Sequence, residues 1–212
     1  MAEIFIIDNA DLTDAFGTGA SYNEERGLRF LDALKARYDE VIITDVVWNE
    51  ATSNSLNYPK DAAVETWFKL NYGETFTGVP TATGAQESGG TFTGADPGEY
   101  SMIDAYNSRS SGNTVKLGSS DTFFTTGAGS SYSADVSNLP ATMHDLVLNN
   151  RLDPLDYLSH RANNSTLSGW DTDAVFEKLG LDNKGYPTTI DGNGDLIIDT
   201  DGNPSTTNDR VT

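Results

Sequence analysis

The chain has no cysteine and little positive charge, and both shortages narrow what it can do. Without cysteine among its 212 residues, it cannot form a disulfide, a zinc–thiolate site or a thiol nucleophile. Its 13 lysines and arginines stand against 32 acids, which gives a formal net charge of -19. This charge favours solubility and opposes broad binding to a phosphate backbone. We therefore expect cations to be attracted, and a nucleic-acid partner to require locally clustered bases or a basic partner protein.

Long apolar runs are also missing. A membrane-spanning helix needs about 20 apolar residues, and the runs here are far shorter, so we expect no membrane partner. The N-terminus lacks the pattern of a signal peptide, and the compartment stays open between the cytoplasm and the secreted or surface part of a longer bacterial polypeptide.

His144 and His160 are the only histidines, and we expect each to be a surface or helix-packing residue rather than a ligand.

A run of four apolar residues near the N-terminus ends at an acid. Residues 4–7 are Ile-Phe-Ile-Ile, and Asp8 follows them. An unbroken apolar run favours a strand that is buried on both faces, as in a parallel sheet. Ligands of open α/β sheets bind outside the carboxyl ends of the strands, so Asp8 is predicted to lie at the ligand-binding edge.

The following residues predict a βαβ unit. Residues 9–22 contain glycines and polar residues and are interpreted as a loop. Ser21 and Glu24 have the spacing of a capping box, and an amphipathic helix is predicted over about 23–38. The run 41–44 is a second buried strand, and the crossover between the two strands should be right-handed.

Further acids follow predicted strands or open predicted helices. Asp45 is the predicted N-cap of a helix that carries Glu50 about one turn in. Residues 96–99, Asp-Pro-Gly-Glu, predict a later helix start, because Asp suits the cap and proline the first turn. Residues 114–117 predict a strand, and Asp121 follows it. A helix over 60–70 is predicted to place Trp67 and Leu70 in the core.

The order of these acids resembles the signature of the PIN-domain ribonucleases. Asp8 follows the first strand, Val-Val-Trp-Asn precedes Glu50, Gly98-Glu99 opens a helix, and Leu-Gly-Ser-Ser-Asp ends at Asp121. The resemblance covers roughly residues 1–130. It implies an α/β fold, a PIN-like three-layer sandwich with a central, mainly parallel sheet. We place this domain at residues 1–133 and a mostly helical extension, ending in acidic Asp/Asn/Gly loops, at residues 134–212.

The resemblance further implies a divalent-metal-dependent endoribonuclease whose partner is RNA. Clustered carboxylates cannot all ionise unless a cation neutralises them, and Mg²⁺ or Mn²⁺ prefers oxygen ligands and keeps several waters. A metal-bound water would then attack the phosphodiester. The expected metal ligands, directly or through water, are Asp8, Glu50, Glu99 and Asp121; Ser119 is expected to orient Asp121 or a water; Asp11 and Asp104 are fallback acids.

Each of these acids also has a plain structural alternative. Asp8 and Asp121 are good turn or N-cap residues, Glu99 suits the third position of a capping box, and Glu50 suits a solvated helix face. An RNA-binding reading requires bases near the crevice, for which the candidates are Lys60, Lys69, Arg109 and Lys116. A homodimer or a protein partner also stays open.

The C-terminal acids suggest a second function. Asp191, Asn193 and Asp195 alternate as in the first half of an EF-hand loop, although Leu196 replaces the required glycine. With Asp199 and Asp201, they resemble the calcium loops of secreted bacterial repeat proteins. The alternative is a β-hairpin in which Ile190 pairs towards Ile197. The competing hypothesis is therefore a non-catalytic Ca²⁺-binding module of a large secreted or surface bacterial protein.

Overall fold

The computed structural model describes residues 1–72, 96–163, 169–179, 188–190 and 196–198. Four strands form one sheet, and two shorter strands form a second. The strands of the first sheet are β1 (Glu3–Ile7), β2 (Glu40–Ile42), β3 (Thr114–Gly118) and β4 (Val136–Ser137). The helices are α1 (Asn9–Phe16), α2 (Glu24–Arg37), α3 (Asp45–Thr52), α4 (Pro59–Tyr72), α5 (Pro97–Arg109), α6 (Thr122–Thr125), α7 (Leu139–Leu148), α8 (Pro154–Asn163) and α9 (Gly169–Lys178).

The first sheet is parallel throughout, in the order β2-β1-β3-β4. The chain steps from β1 to β2 in one direction and then returns across β1 to reach β3. Right-handed crossovers place these two connections on opposite faces of the sheet. In open α/β sheets the ligand crevice lies at the carboxyl ends of the strands where this direction reverses, which here is between β1 and β3. The predicted α/β class with a mainly parallel sheet is thus confirmed, and its PIN-like character stays a prediction.

The predicted loop over 9–22 is wrong, because its first half is helix α1. Asp8 caps this helix by accepting the Asn9 N–H at 2.6 Å. Leu12 and Phe16 recur at helical spacing and are fully buried. Gly17, with φ of 76°, follows the helix as its C-cap residue, so the glycines mark the end of a helix rather than a continuous loop.

Two predicted caps were wrong, and a third is at its predicted position but lacks the capping bond. The N-cap of α2 is Asn23, which accepts the Arg26 N–H, whereas Ser21 belongs to a preceding 3₁₀ turn. Thr44 rather than Asp45 caps α3. Asp96 stands at the start of α5 with φ of 75° and accepts no capping N–H among the described residues.

The core is built on the apolar strands and continues past residue 133. Phe5 and Ile6 of β1 are inaccessible to solvent, as are Leu146 of α7 and Leu158 of α8 in the same cluster. β4 pairs with β3, so the fourth strand of the sheet lies beyond the boundary drawn from the sequence. The extension therefore shares the sheet and the core with the first 133 residues.

Side-chain placement on α4 differs in part from the prediction. Trp67 is buried as expected, but Leu70 is 81% exposed, and Val64 and Phe68 occupy the core instead. None of the described helices is long and apolar enough to cross a membrane.

The second sheet pairs β5 (Thr188–Ile190) antiparallel to β6 (Leu196–Ile198). Ile190 lies opposite Leu196 and Thr189 opposite Ile197, so the strand pairing expected for a hairpin is present, one residue from the predicted register. The proposed calcium ligands Asp191, Asn193, Asp195, Asp199 and Asp201 lie outside the described residues, and calcium binding stays a prediction.

Candidate functional site

Two acids meet at the carboxyl ends of the central strands. Asp8 follows β1, and its N–H donates to the Gly118 carbonyl at the end of β3, at 2.9 Å. The Ser119 hydroxyl donates to Asp8 Oδ2 at 2.8 Å and accepts the Asp121 N–H at 3.1 Å. Ser119 therefore connects the carboxylate after β1 to the backbone of the acid after β3.

Glu50 and Glu99 approach this edge from two helices. Glu50 lies on α3, and a Cβ added at Gly98 would stand 3.0 Å from Glu50 Oε2. The glycine thus lets the Glu50 carboxylate lie against the first turn of α5, next to Glu99. A larger residue at this position would push the Glu50 carboxylate away from its present place.

Electrostatic coupling shows that the four acids share one region. Burial raises the pKa of Asp8, Ser119 and backbone N–H groups lower it, and Asp121 raises it further. The pKa of Glu50 is raised by burial and then by Asp8. Burial raises the pKa of Glu99 to about 7, with Asp8 and Asp121 adding to the rise. Like charges disfavour one another's ionised forms in this way unless a cation lies between them.

Asp8 and Asp121 are helix N-caps, as their structural alternatives predicted, whereas Glu99 is not part of the predicted capping box. Asp8 caps α1, and Asp121 caps α6 by accepting the Phe123 N–H at 2.7 Å. Each therefore has a capping role besides its place in the cluster. The predicted capping box at Glu99 is not formed, because Asp96 does not cap α5. Glu99 is half-buried, and its carboxylate interacts with its own backbone N–H in the first turn of α5.

The donor chemistry of the cluster fits a hard divalent cation. Its side chains offer carboxylate oxygens and one hydroxyl, and no ion pair among the described residues involves any of the four acids. Within the same described ranges, however, no three acids or histidines stand close enough together to hold a metal directly. Mg²⁺ is usually bound by one or two carboxylates and keeps several waters. The arrangement therefore fits an ion held by few direct ligands, with the remaining acids reached through water.

Asp11, a fallback acid in the sequence analysis, is fully buried and bonded to the loop that carries Asp121. It lies in the first turn of α1, has 0% exposure, and its Oδ1 accepts the Ser120 hydroxyl at 2.8 Å. Its Oδ2 has no hydrogen-bond partner among the described residues. Burial raises the pKa of Asp11 to about 8. The signal in the sequence is the i, i+3 spacing of Asp8 and Asp11, which places both acids on one side of a helix that begins at residue 9. Asp104, the other fallback acid, is half-buried on α5.

The candidate bases do not gather at the crevice, although RNA binding by this chain would require them there. Lys60 lies beside it, since its Nζ donates to Asn9 Oδ1 at 3.0 Å, but it also pairs with Asp61. The other three candidates pair with acids elsewhere: Lys69 with Glu65, Arg109 with Glu40 and Lys116 with Asp135. Glu40 begins β2, so Arg109 lies at the amino edge of the sheet, away from the acids.

A polar cavity of about 140 Å³ lies at the opposite end of α1 from Asp8. Arg26 and His160 line it together with hydroxyl groups and Asp14. The pKa of His160 is lowered to about 4, first by burial and then by Arg26 and Arg161, so the imidazole is neutral near pH 7. His144 packs its ring against Tyr157, with centroids 5.6 Å apart.

Comparison of the chain with protein-family models, curated proteins and solved structures found no match.

Proposed function

We propose that the chain is a PIN-like, divalent-metal-dependent endoribonuclease. One observation carries the proposal: four carboxylates from four separate segments interact at the carboxyl edge of the sheet, where the order of the strands reverses. This edge is where ligands of doubly wound sheets bind. Mutual repulsion among Asp8, Glu50, Glu99 and Asp121 costs stability in the apo protein, which is the usual condition of a site built for a cation.

Mg²⁺ or Mn²⁺ would be held by these four acids, some directly and some through water. When bound, the ion supplies an acidified water and stabilises charge on the phosphoryl oxygens. Ser119 keeps the Asp8 carboxylate oriented through its hydroxyl. The pKa of Glu99 is raised to about 7, so cation binding near neutral pH would displace a proton from it.

RNA is the proposed substrate, and the net charge of -19 determines how it must bind. The phosphate backbone is repelled except where the bound ion neutralises the acids. Among the candidate bases Lys60 lies beside the crevice, so a basic protein partner or a second copy of the chain would have to add further positive charge. Cleavage should therefore be weak at low concentrations of divalent cation and steeply dependent on it.

The test is divalent-dependent RNA cleavage by the full chain and by Asp8→Asn and Asp121→Asn variants. We expect each variant to lose more than about 100-fold in activity, as befits a group that contacts the ion rather than one behind it. Asp104→Asn is the matched control, because Asp104 is an acid on the same helix as Glu99, and it should keep wild-type activity. Wild-type protein that cleaves no RNA with Mg²⁺ or Mn²⁺ would remove the enzyme proposal.

Cation binding without catalysis is the second proposal, favoured by the charge and by the lack of three directly convergent acids in the described part of the chain. Calorimetry with Ca²⁺ against Mg²⁺ separates it from the first. Tighter Ca²⁺ binding that is lost in Asp195→Asn and kept in Asp8→Asn would support the calcium module; the reverse pattern would support the edge of the sheet.

A further inference from the structure

Two neighbouring serines after β3 each donate a hydrogen bond to an acid at the start of α1. Ser119 donates to Asp8, as described above, and Ser120 donates to Asp11 Oδ1 at 2.8 Å. The first bond lies within the acidic cluster. The second lies beneath it, and the proposed chemistry does not use it.

The Ser120 bond joins three parts of the fold. Ser120 Oγ also accepts the N–H of Leu139, the first residue of α7, at 3.4 Å. The loop after β3 is thus tied to α1 through Asp11 and to α7 through Leu139. Asp121 is the next residue, and its position depends on where this loop is held.

Asp11 is too deeply buried to contact substrate or a metal ion from solvent. It has 0% exposure, and a Cβ added at Gly118 would lie 3.3 Å from its Oδ2. The carboxyl group is therefore packed against the backbone at the end of β3. A buried carboxyl costs free energy unless it is bonded, and here the hydroxyl and the backbone of Ser120, which both act on Asp11, belong to the loop that carries Asp121.

We propose that Asp11 and Ser120 are positioning residues, whose hydrogen bond holds residues 119–121 against α1 and so sets the separation of the Asp8 and Asp121 carboxylates. The consequence for activity rests on the proposed nuclease function, whereas the mechanical role of the bond does not. A displacement of about 1 Å in a catalytic group can cost about 100-fold in rate, so the effect should be measurable.

The kinetic test uses Ser120→Ala, Asp11→Ala and two conservative variants. We expect Ser120→Ala and Asp11→Ala to lower kcat by about 10-fold to 100-fold while KM for RNA changes less than about 2-fold, because geometry and not binding is altered. Ser120→Thr keeps the hydroxyl, and Asp11→Asn keeps an acceptor oxygen, so both should restore kcat. Ser108→Ala is the control, since the Ser108 hydroxyl donates to Ala105 O within α5.

Amide hydrogen exchange supplies a readout that does not need activity. Loss of the bond should accelerate exchange of the Asp121 and Leu139 N–H groups in Ser120→Ala, with Ser120→Thr and Ser108→Ala unchanged. A wild-type protein without cleavage would overturn the nuclease proposal alone, and exchange would still decide the positioning role. Unchanged exchange in Ser120→Ala, or faster exchange with an unchanged kcat in an active protein, would overturn the inference.

Discussion

Replacing Asp11 by asparagine should change the way the free energy of unfolding depends on pH. Burial raises the pKa of this carboxyl from 3.8 to about 8. Between those values the folded protein holds a proton that the unfolded chain releases. Stability must therefore fall as pH rises through this window and level off above pH 8.

The magnitude follows from the difference between the two pKa values. Each unit corresponds to about 1.4 kcal/mol, so the loss from this one group between pH 4 and pH 8 is up to about 6 kcal/mol. A domain is usually stable by about 5 to 15 kcal/mol, which makes the effect a large fraction of the total. Asparagine carries no titrating proton and accepts the same bond from Ser120, so the variant should gain on the wild type as pH rises.

Urea unfolding between pH 4.5 and 8.5 measures this difference. EDTA should be present, so that no divalent cation neutralises Asp8 and its neighbours. Asp104→Asn controls for removal of an acid and should follow the wild-type profile. The reasoning would be refuted if the free energies of unfolding of wild type and Asp11→Asn differed by the same amount at pH 5 and at pH 8.

Two further predictions concern the acid cluster and the extension. Glu99→Gln should stabilise the apo protein by about 1 kcal/mol above pH 7, since it removes a partly exposed charge that repels its neighbours. The substitution should also reduce the rise in Tm that Mn²⁺ causes in the wild type. A lower Tm of the apo variant, or a rise with Mn²⁺ as large as that of the wild type, would contradict this. Asp156→Ala should cost about 2 to 3 kcal/mol in urea unfolding, because the buried carboxylate accepts two bonds from Arg29, at 2.6 and 2.9 Å. Glu25, the more exposed partner of Arg29, is the matched control, and Glu25→Ala should cost less than about 0.5 kcal/mol. A cost for Asp156→Ala no larger than about 0.5 kcal/mol would contradict the stabilising role of the contact between α2 and α8.

Local patterns in the sequence were sufficient to predict most of the regular elements. Unbroken apolar runs predict β1 and β2 because strands of a parallel sheet are buried on both faces. Helical spacing of apolar residues predicts α2 for a similar reason. Local signals failed where two neighbouring residues could both be the N-cap of a helix, as when Thr44 rather than Asp45 caps α3. They also failed at the short helix α1, because the glycines that follow it favour a loop.

The composition and order of residues by themselves determined the acidity of the chain, its α/β class and the positions of acids within three residues of the ends of two strands. Only the tertiary structure decided that β3 pairs beside β1, which brings Asp121 to Asp8, and that Asp11 is sealed beneath them. It also placed Arg109 at the far edge of the sheet, against Glu40. The physical reason is that pairing between strands more than 100 residues apart, and the burial that follows from it, depend on the whole core rather than on any local stretch of chain.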